Sequence, residues 1–190
     1  MPTKLIFKKL SFGNKFARTI WNIVWLIFCR FTPNPLHGWR CLITRLFGAR
    51  LGKNIRLYPS AKIWAPWNLT IDDYGCLGPY VDCYSVNDIY IGPHSVVSQY
   101  SFLCTASHDF SDVTMPLITA PIMIRGWVWI TADVFVAPGV EIGEGAVITA
   151  RSSVFNDIKP WVIASGNPAQ PIKKRQLKGL TDKFSGPSKS

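Results

Sequence analysis

Aspartate and glutamate are absent from the start of the chain: the first acid is Asp72. Eleven of the 21 Lys and Arg lie between Lys4 and Arg56, and six more between Lys173 and Lys189. Basic ends therefore flank a middle with ten acids against four bases. Such ends suit headgroups, nucleotide phosphates or plain solvation; no nucleic-acid partner is expected. The five cysteines contain no C-x-x-C and are odd in number, which excludes a disulfide framework and fits a reducing compartment. Only three histidines occur, none closely spaced, so a catalytic zinc with three His ligands is not expected and no metal-ligating residue is assigned. Neither G-x-x-x-x-G-K-[ST] nor G-x-G-x-x-G is present, which removes the phosphate-cradling loops. The most apolar run, residues 20–31, is shorter than the roughly 20 residues a bilayer needs and has no A-x-A-like site after it.

What the chain has is a period of six. Ile124, Ile130, Val136, Ile142, Ile148 and Val154 recur at that spacing. Four residues after the first five stand Val128, Val134, Val140, Ala146 and Ser152, all small or β-branched. Six fits neither a lone helix nor a two-sided strand, and it reads as a parallel β-helix. Earlier hexads are Leu51, Leu57, Ile63 and Leu69, then Ile71, Leu77, Cys83 and Ile89, then Ile91, Val97 and Leu103. Each slip of two marks a corner with a longer loop. Trp64, Pro66 and Trp67 predict an irregular first coil.

Three parts follow. Residues 1–50 form a basic, aromatic extension with a helix over residues 20–31 and a second apolar stretch over 39–47. Residues 51–170 form the β-helix, interrupted by a loop at 109–121. Residues 171–190 form a basic tail, loose near its end. Two roles stay open for residues 1–31: packing on the body or a subunit neighbour, or peripheral contact with anionic lipid.

His108 stands where the regular coils give way to the loop, the way a general base is presented to substrate. Asp109 and Asp82 are candidates to orient its imidazole or to bind a substrate hydroxyl. His94, after I-G-P, reads as an exposed structural residue, and His37 as a surface residue of the connector.

The hexads, the H-D at the loop, A-P-G-V-E-I-G (137–143) and S-G-N-P-A (165–169) resemble hexapeptide-repeat acyltransferases of the galactoside and maltose O-acetyltransferase type. Y-P-S-A-K-I-W-A-P-W-N-L (58–69) and S-Q-Y-S-F-L-C-T-A-S-H-D (98–109) are similar to the colanic acid biosynthesis O-acetyltransferase group. The resemblance implies an all-β, left-handed parallel β-helix assembled as a homotrimer, with active sites between subunits. It implies acetyl-CoA as co-substrate, with no permanently bound cofactor, and an exopolysaccharide or capsule sugar as acceptor, free or as a lipid-linked oligosaccharide. It matches His108 to the catalytic histidine and places Asp82 near an acceptor-binding position. Trp129, Ala132 and Ala150 match positions lining the pantetheine groove, and Lys173 a basic residue near the nucleotide phosphates, with Lys174 and Arg175 close by. A cytoplasmic enzyme working at the inner membrane face is expected. Two other classes compete: a zinc lyase of the β-helical carbonic anhydrase kind, and a non-catalytic β-helix scaffold.

Overall fold

An aliphatic residue returning every six positions can be buried each time only if the chain turns a corner between returns. The computed structural model, which describes residues 6–7 and 11–176, shows three such corners per coil. The first face stacks Arg50–Leu51, Leu69–Ile71, Ile89–Ile91, Ile122–Ile124 and Glu141–Ile142, all parallel. The second stacks Arg56–Leu57, Cys76–Leu77, Val96–Val97, Trp129–Ile130, Val147–Ile148 and Val162–Gly166. The third stacks Lys62–Ile63, Asp82–Tyr84, Phe102–Cys104, Phe135–Val136 and Ser153–Val154. The result is a left-handed parallel β-helix of about six turns.

Pairing in register puts like on like: Leu57, Leu77, Val97, Ile130, Ile148 and Ala164 form one inward column, each fully buried. Full burial of each such aliphatic chain is worth roughly 1.5–3 kcal/mol, so the columns carry the fold. The small corner residues are buried as well, and the serines among them bond as they pack. Ser95 Oγ donates to Arg125 O at 2.7 Å and accepts from Val128 N; Ser101 Oγ donates to Thr131 O at 2.9 Å.

The slips of two have one cause. Leu51, Ile71 and Ile91 are 20 apart, whereas Ile124 and Ile142 are 18 apart. The extra pair always enlarges the corner between the third and first faces. In the first coil it is a 3₁₀ turn, Pro66–Asn68, and the remainder of that coil is regular. At the corner between the first and second faces, one residue per coil takes a left-handed φ: Asn54, Tyr74, His94, Trp127, Gly145 and Trp161. The rings of Tyr74, His94 and Trp127 stack outside the prism. His94 lies between the Tyr74 and Trp127 rings, at 4.7 and 4.3 Å, so it is exposed and structural as expected. Trp161 lies flat over Gly145, where a Cβ would sit 2.5 Å from the ring.

A first coil has no coil beneath it, and its open carbonyls need donors. Two helices supply them: α1, Phe12–Phe28, and α2, His37–Leu46. Trp21 Nε1 donates to Ile63 O at 2.6 Å. Arg40 Nε donates to Leu57 O at 2.6 Å, and the Arg45 guanidinium to Leu51 O and Gly52 O. Helix α1 begins eight residues before the expected position, because Ser11 caps it by accepting from Asn14 N at 3.2 Å. His37 is also more than a surface residue: it is half-buried, with Nδ1 2.9 Å from Leu57 O. At the other end the last strand is closed by Ala169–Lys174, which folds back antiparallel through the S-G-N-P turn. Of the tail, 177–190 lie outside the described residues, including the part expected to be loose.

Candidate active site

The corner between third and first faces carries the one large excursion. After Phe102–Cys104 the chain leaves as Ala106–His108, turns, and returns as Leu117–Thr119 in an antiparallel hairpin. Ile6–Phe7 adds a third strand by pairing with Leu117–Thr119. The interruption is therefore an ordered hairpin rather than an irregular loop. Its base is tied to the coil below: Thr105 Oγ1 donates to Tyr84 O at 2.7 Å, and Asn87 Nδ2 donates to Thr119 Oγ1 at 3.1 Å. Its tip is shaped by two side-chain turns. Asp109 Oδ1 accepts from Ser111 N and Oγ, and Asp112 Oδ1 from Thr114 N and Oγ1. The Thr114 bonds hold the Asp112 carboxyl below the usual carboxylate range.

His108 ends the outgoing strand with its ring exposed. Its Nδ1 lies 2.6 Å from the Met115 carbonyl oxygen. A carbonyl only accepts, so Nδ1 carries a proton, and in the neutral ring the lone pair lies on Nε2. The orienting group is thus a backbone carbonyl. Neither Asp109, whose carboxylate is engaged by Ser111, nor Asp82 holds this nitrogen. Asp82 is on the third face, with Oδ2 3.8 Å from Lys62 Nζ, and burial raises its carboxyl above the usual range against the pull of Lys62.

The other expected residues lie elsewhere on the prism. Trp129 projects half-exposed from the second face, its Nε1 donating to Ser98 Oγ at 3.0 Å. Ala132 and Ala150 stand one above the other at the next corner, where Arg151 N donates to Ala132 O at 3.1 Å. Lys173 is exposed on the closing strand of the same face. Arg175 is partly engaged: its Nη1 donates to Trp127 O and Gly145 O. Within one chain, Trp129, Ala132, Ala150 and Lys173 share the second face and its corner, whereas His108 leaves from a different corner. Thr131, in the same neighbourhood as Trp129, has a buried Oγ1 with no hydrogen-bond partner among the described residues. Thr131 stands out in the sequence as well, where related acyltransferases commonly have Gly or Ala, whereas no sequence pattern pointed to Met115.

The five thiols are all raised above their ordinary value, chiefly by burial; Cys29 reaches about 11. None is poised as a thiolate nucleophile. Among the described residues no group of three or more His, Cys, Asp or Glu could hold a metal ion. A groove of about 730 Å³ lies between α2 and the lower second face, lined by His37, Arg45, Arg56 and Tyr74 among others, and does not include His108.

No protein-family model matches the chain. It is 45% identical over 163 residues, 86% of this chain and 90% of the other, to the protein named as a colanic acid biosynthesis acetyltransferase, WcaF, in Escherichia coli (strain K12). Its fold is similar to that of the hexapeptide-repeat acetyltransferase VCA0836 of Vibrio cholerae, solved with acetyl coenzyme A. The TM-score is 0.81 at 24% identity, over 90% of this chain and 94% of that one. A galactoside acetyltransferase solved with coenzyme A gives 0.76 at 24% identity, over 90% and 86%. With the hexad columns, the corner hairpin and a relative of that identity over most of both lengths, the chain belongs to the colanic acid biosynthesis acetyltransferase family, and it is an acyltransferase.

Proposed function

We propose that the protein transfers an acetyl group from acetyl-CoA to a sugar hydroxyl of an exopolysaccharide precursor, free or lipid-linked, with His108 as general base. The observation that carries this is the Nδ1–H bond to Met115 O, which leaves a basic Nε2 on a rigid hairpin. Nε2 takes the proton from the acceptor hydroxyl as its oxygen attacks the thioester carbonyl. The tetrahedral oxyanion collapses, the C–S bond breaks, and the imidazolium returns the proton to the departing thiolate. Raised thiols throughout the chain favour this direct route over a covalent enzyme intermediate.

The co-substrate lies along the second face. Trp129 offers a ring edge already fixed by Ser98, Ala132 and Ala150 offer small side chains and backbone, and Lys173 offers a positive end. Because His108 leaves from a different corner, the complete site needs a neighbour: in a trimer with parallel axes, His108 of one subunit meets the Trp129 face of the next. Asp82, with its raised carboxyl, contacts the acceptor. The enzyme acts in the cytoplasm at the inner membrane face.

The test is a panel of acyl-CoAs against sugars and oligosaccharides, read by mass spectrometry alongside thermal melting with coenzyme A. Acetylated sugar and a coenzyme A-dependent rise in Tm are expected. No transfer, together with no stabilisation at saturating coenzyme A, overturns the reading.

A further inference from the structure

Helix α1 is apolar on both sides. Its inner side is used: Arg18 lies over the Trp64 ring, and Trp21, Trp25 and, just past the helix end, Cys29 join the buried core, with Trp21 and Cys29 fully buried. Its outer side repeats at spacings of four, four, three and four through Phe12, Phe16, Ile20, Ile23 and Ile27, and all five are exposed; Phe12 is 84% exposed and Ile27 62%. Helix α2 does the same with Trp39, Leu42 and Leu46. The two stripes join where Trp39 Nε1 donates to Phe28 O at 2.8 Å. Of the 23 exposed large hydrophobic residues among the described ones, 12 fall between Phe12 and Leu46. A soluble surface rarely concentrates apolar groups in this way without a partner.

We infer that the outer face of α1 and α2 is a docking plate for an anionic lipid bilayer, on which the β-helix stands end-on. Position argues for it. Both helices cover the first coil's open edge through Trp21, Arg40 and Arg45, so their outer faces point away from the stack. Length argues for lying in the interface rather than crossing: among the described residues no helix is long and apolar enough to span a membrane. Charge chooses the occupant. Lys15 is exposed on α1 and Arg30 half-exposed just past its end, and no acid occurs before Asp72. A second copy laid face to face would bring these cations together, whereas anionic headgroups neutralise them. The inference does not depend on the chemistry at His108.

The experiment is flotation of the full chain with vesicles of phosphatidylcholine and phosphatidylglycerol, against phosphatidylcholine alone. The triple variant Phe16→Ser, Ile23→Ser, Ile27→Ser touches only the outer stripe. It should keep the wild-type Tm and lose at least about tenfold in partitioning. Lys15→Glu should weaken binding to the anionic vesicles only. Sedimentation run in parallel separates the alternative. Failure of the wild type to float, equal binding by the triple variant, or a stripe-dependent self-association without lipid binding would each overturn the inference.

Discussion

Replacing Arg40 by Met tests whether the helices hold the open end of the solenoid. The guanidinium is fully buried and donates to Leu57 O at 2.6 Å, Thr32 Oγ1 at 2.7 Å, Pro33 O at 2.9 Å and Asn34 O at 2.5 Å. Thr32, Pro33 and Asn34 lie in a connector that water reaches, so solvent recovers much of what those three lose. Leu57 O is buried but keeps His37 Nδ1 at 2.9 Å. No acceptor is left wholly bare, which places the loss near that of one or two bonds to a charged donor, about 2–4 kcal/mol. Met fills the stem's volume and avoids burying a cation, which trims rather than cancels the loss. For a chain of this size that is a fall in Tm of roughly 4–15 °C. The assay is urea unfolding followed by tryptophan fluorescence, with an unchanged slope required. Arg40→Lys keeps the charge but cannot fork to four acceptors, and should fall between. A Met variant within about 0.5 kcal/mol of wild type would refute the reasoning.

Other changes separate structure from chemistry. Trp129→Ala should raise KM for acetyl-CoA by up to about tenfold with kcat little changed, as loss of one stacked aromatic contact predicts; an unchanged KM would move the groove. At Gly145 the φ of +66° matches its neighbours in the stack, which are not glycines, so the Trp161 ring and not the backbone decides. Gly145→Ala should destabilise by about 1–3 kcal/mol, and Trp161→Ala in the same chain should remove most of that loss, measured by a double-mutant cycle. Burial raises the Asp82 carboxyl, so this group favours the fold at low pH and loses that contribution as pH rises through its raised value. Asp82→Asn should therefore leave Tm the same or slightly higher at neutral pH, the gain under about 1 kcal/mol for a group so exposed, while kcat/KM for the acceptor falls. A lowered Tm with unchanged kinetics would make Asp82 purely structural.

The hexads were readable because burial in a coil demands the same residue class every sixth position: every aliphatic from Ile124 to Val154 in that series is fully buried. The slips of two were readable as enlarged corners. That they all occupy one corner, the one that also launches the hairpin, depends on stacking and could not be seen along the chain. Helix α1 was half visible. Residues 20–31 announce it by hydropathy, but Asn14, Lys15 and Arg18 break the apolar run at its start, and the Ser11 cap that extends it is a single side-chain bond. His108 was chosen as the candidate base by its position beside the repeat's interruption. Its partner was not, because Met115 contributes only a carbonyl, which every residue has. Asp109, like Asp82, was a candidate either to orient the imidazole or to bind a substrate hydroxyl, yet an Asp two residues before a Ser closes a turn on that Ser first.

The central claim is that the Nε2 lone pair of His108 removes the acceptor's proton. The most direct measurement is single-turnover acetyl transfer by His108→Ala, with acetyl-CoA binding followed separately by calorimetry. The account predicts a rate lower by about 10²–10⁴ with acetyl-CoA affinity largely kept. Transfer at near the wild-type rate by that variant would contradict it.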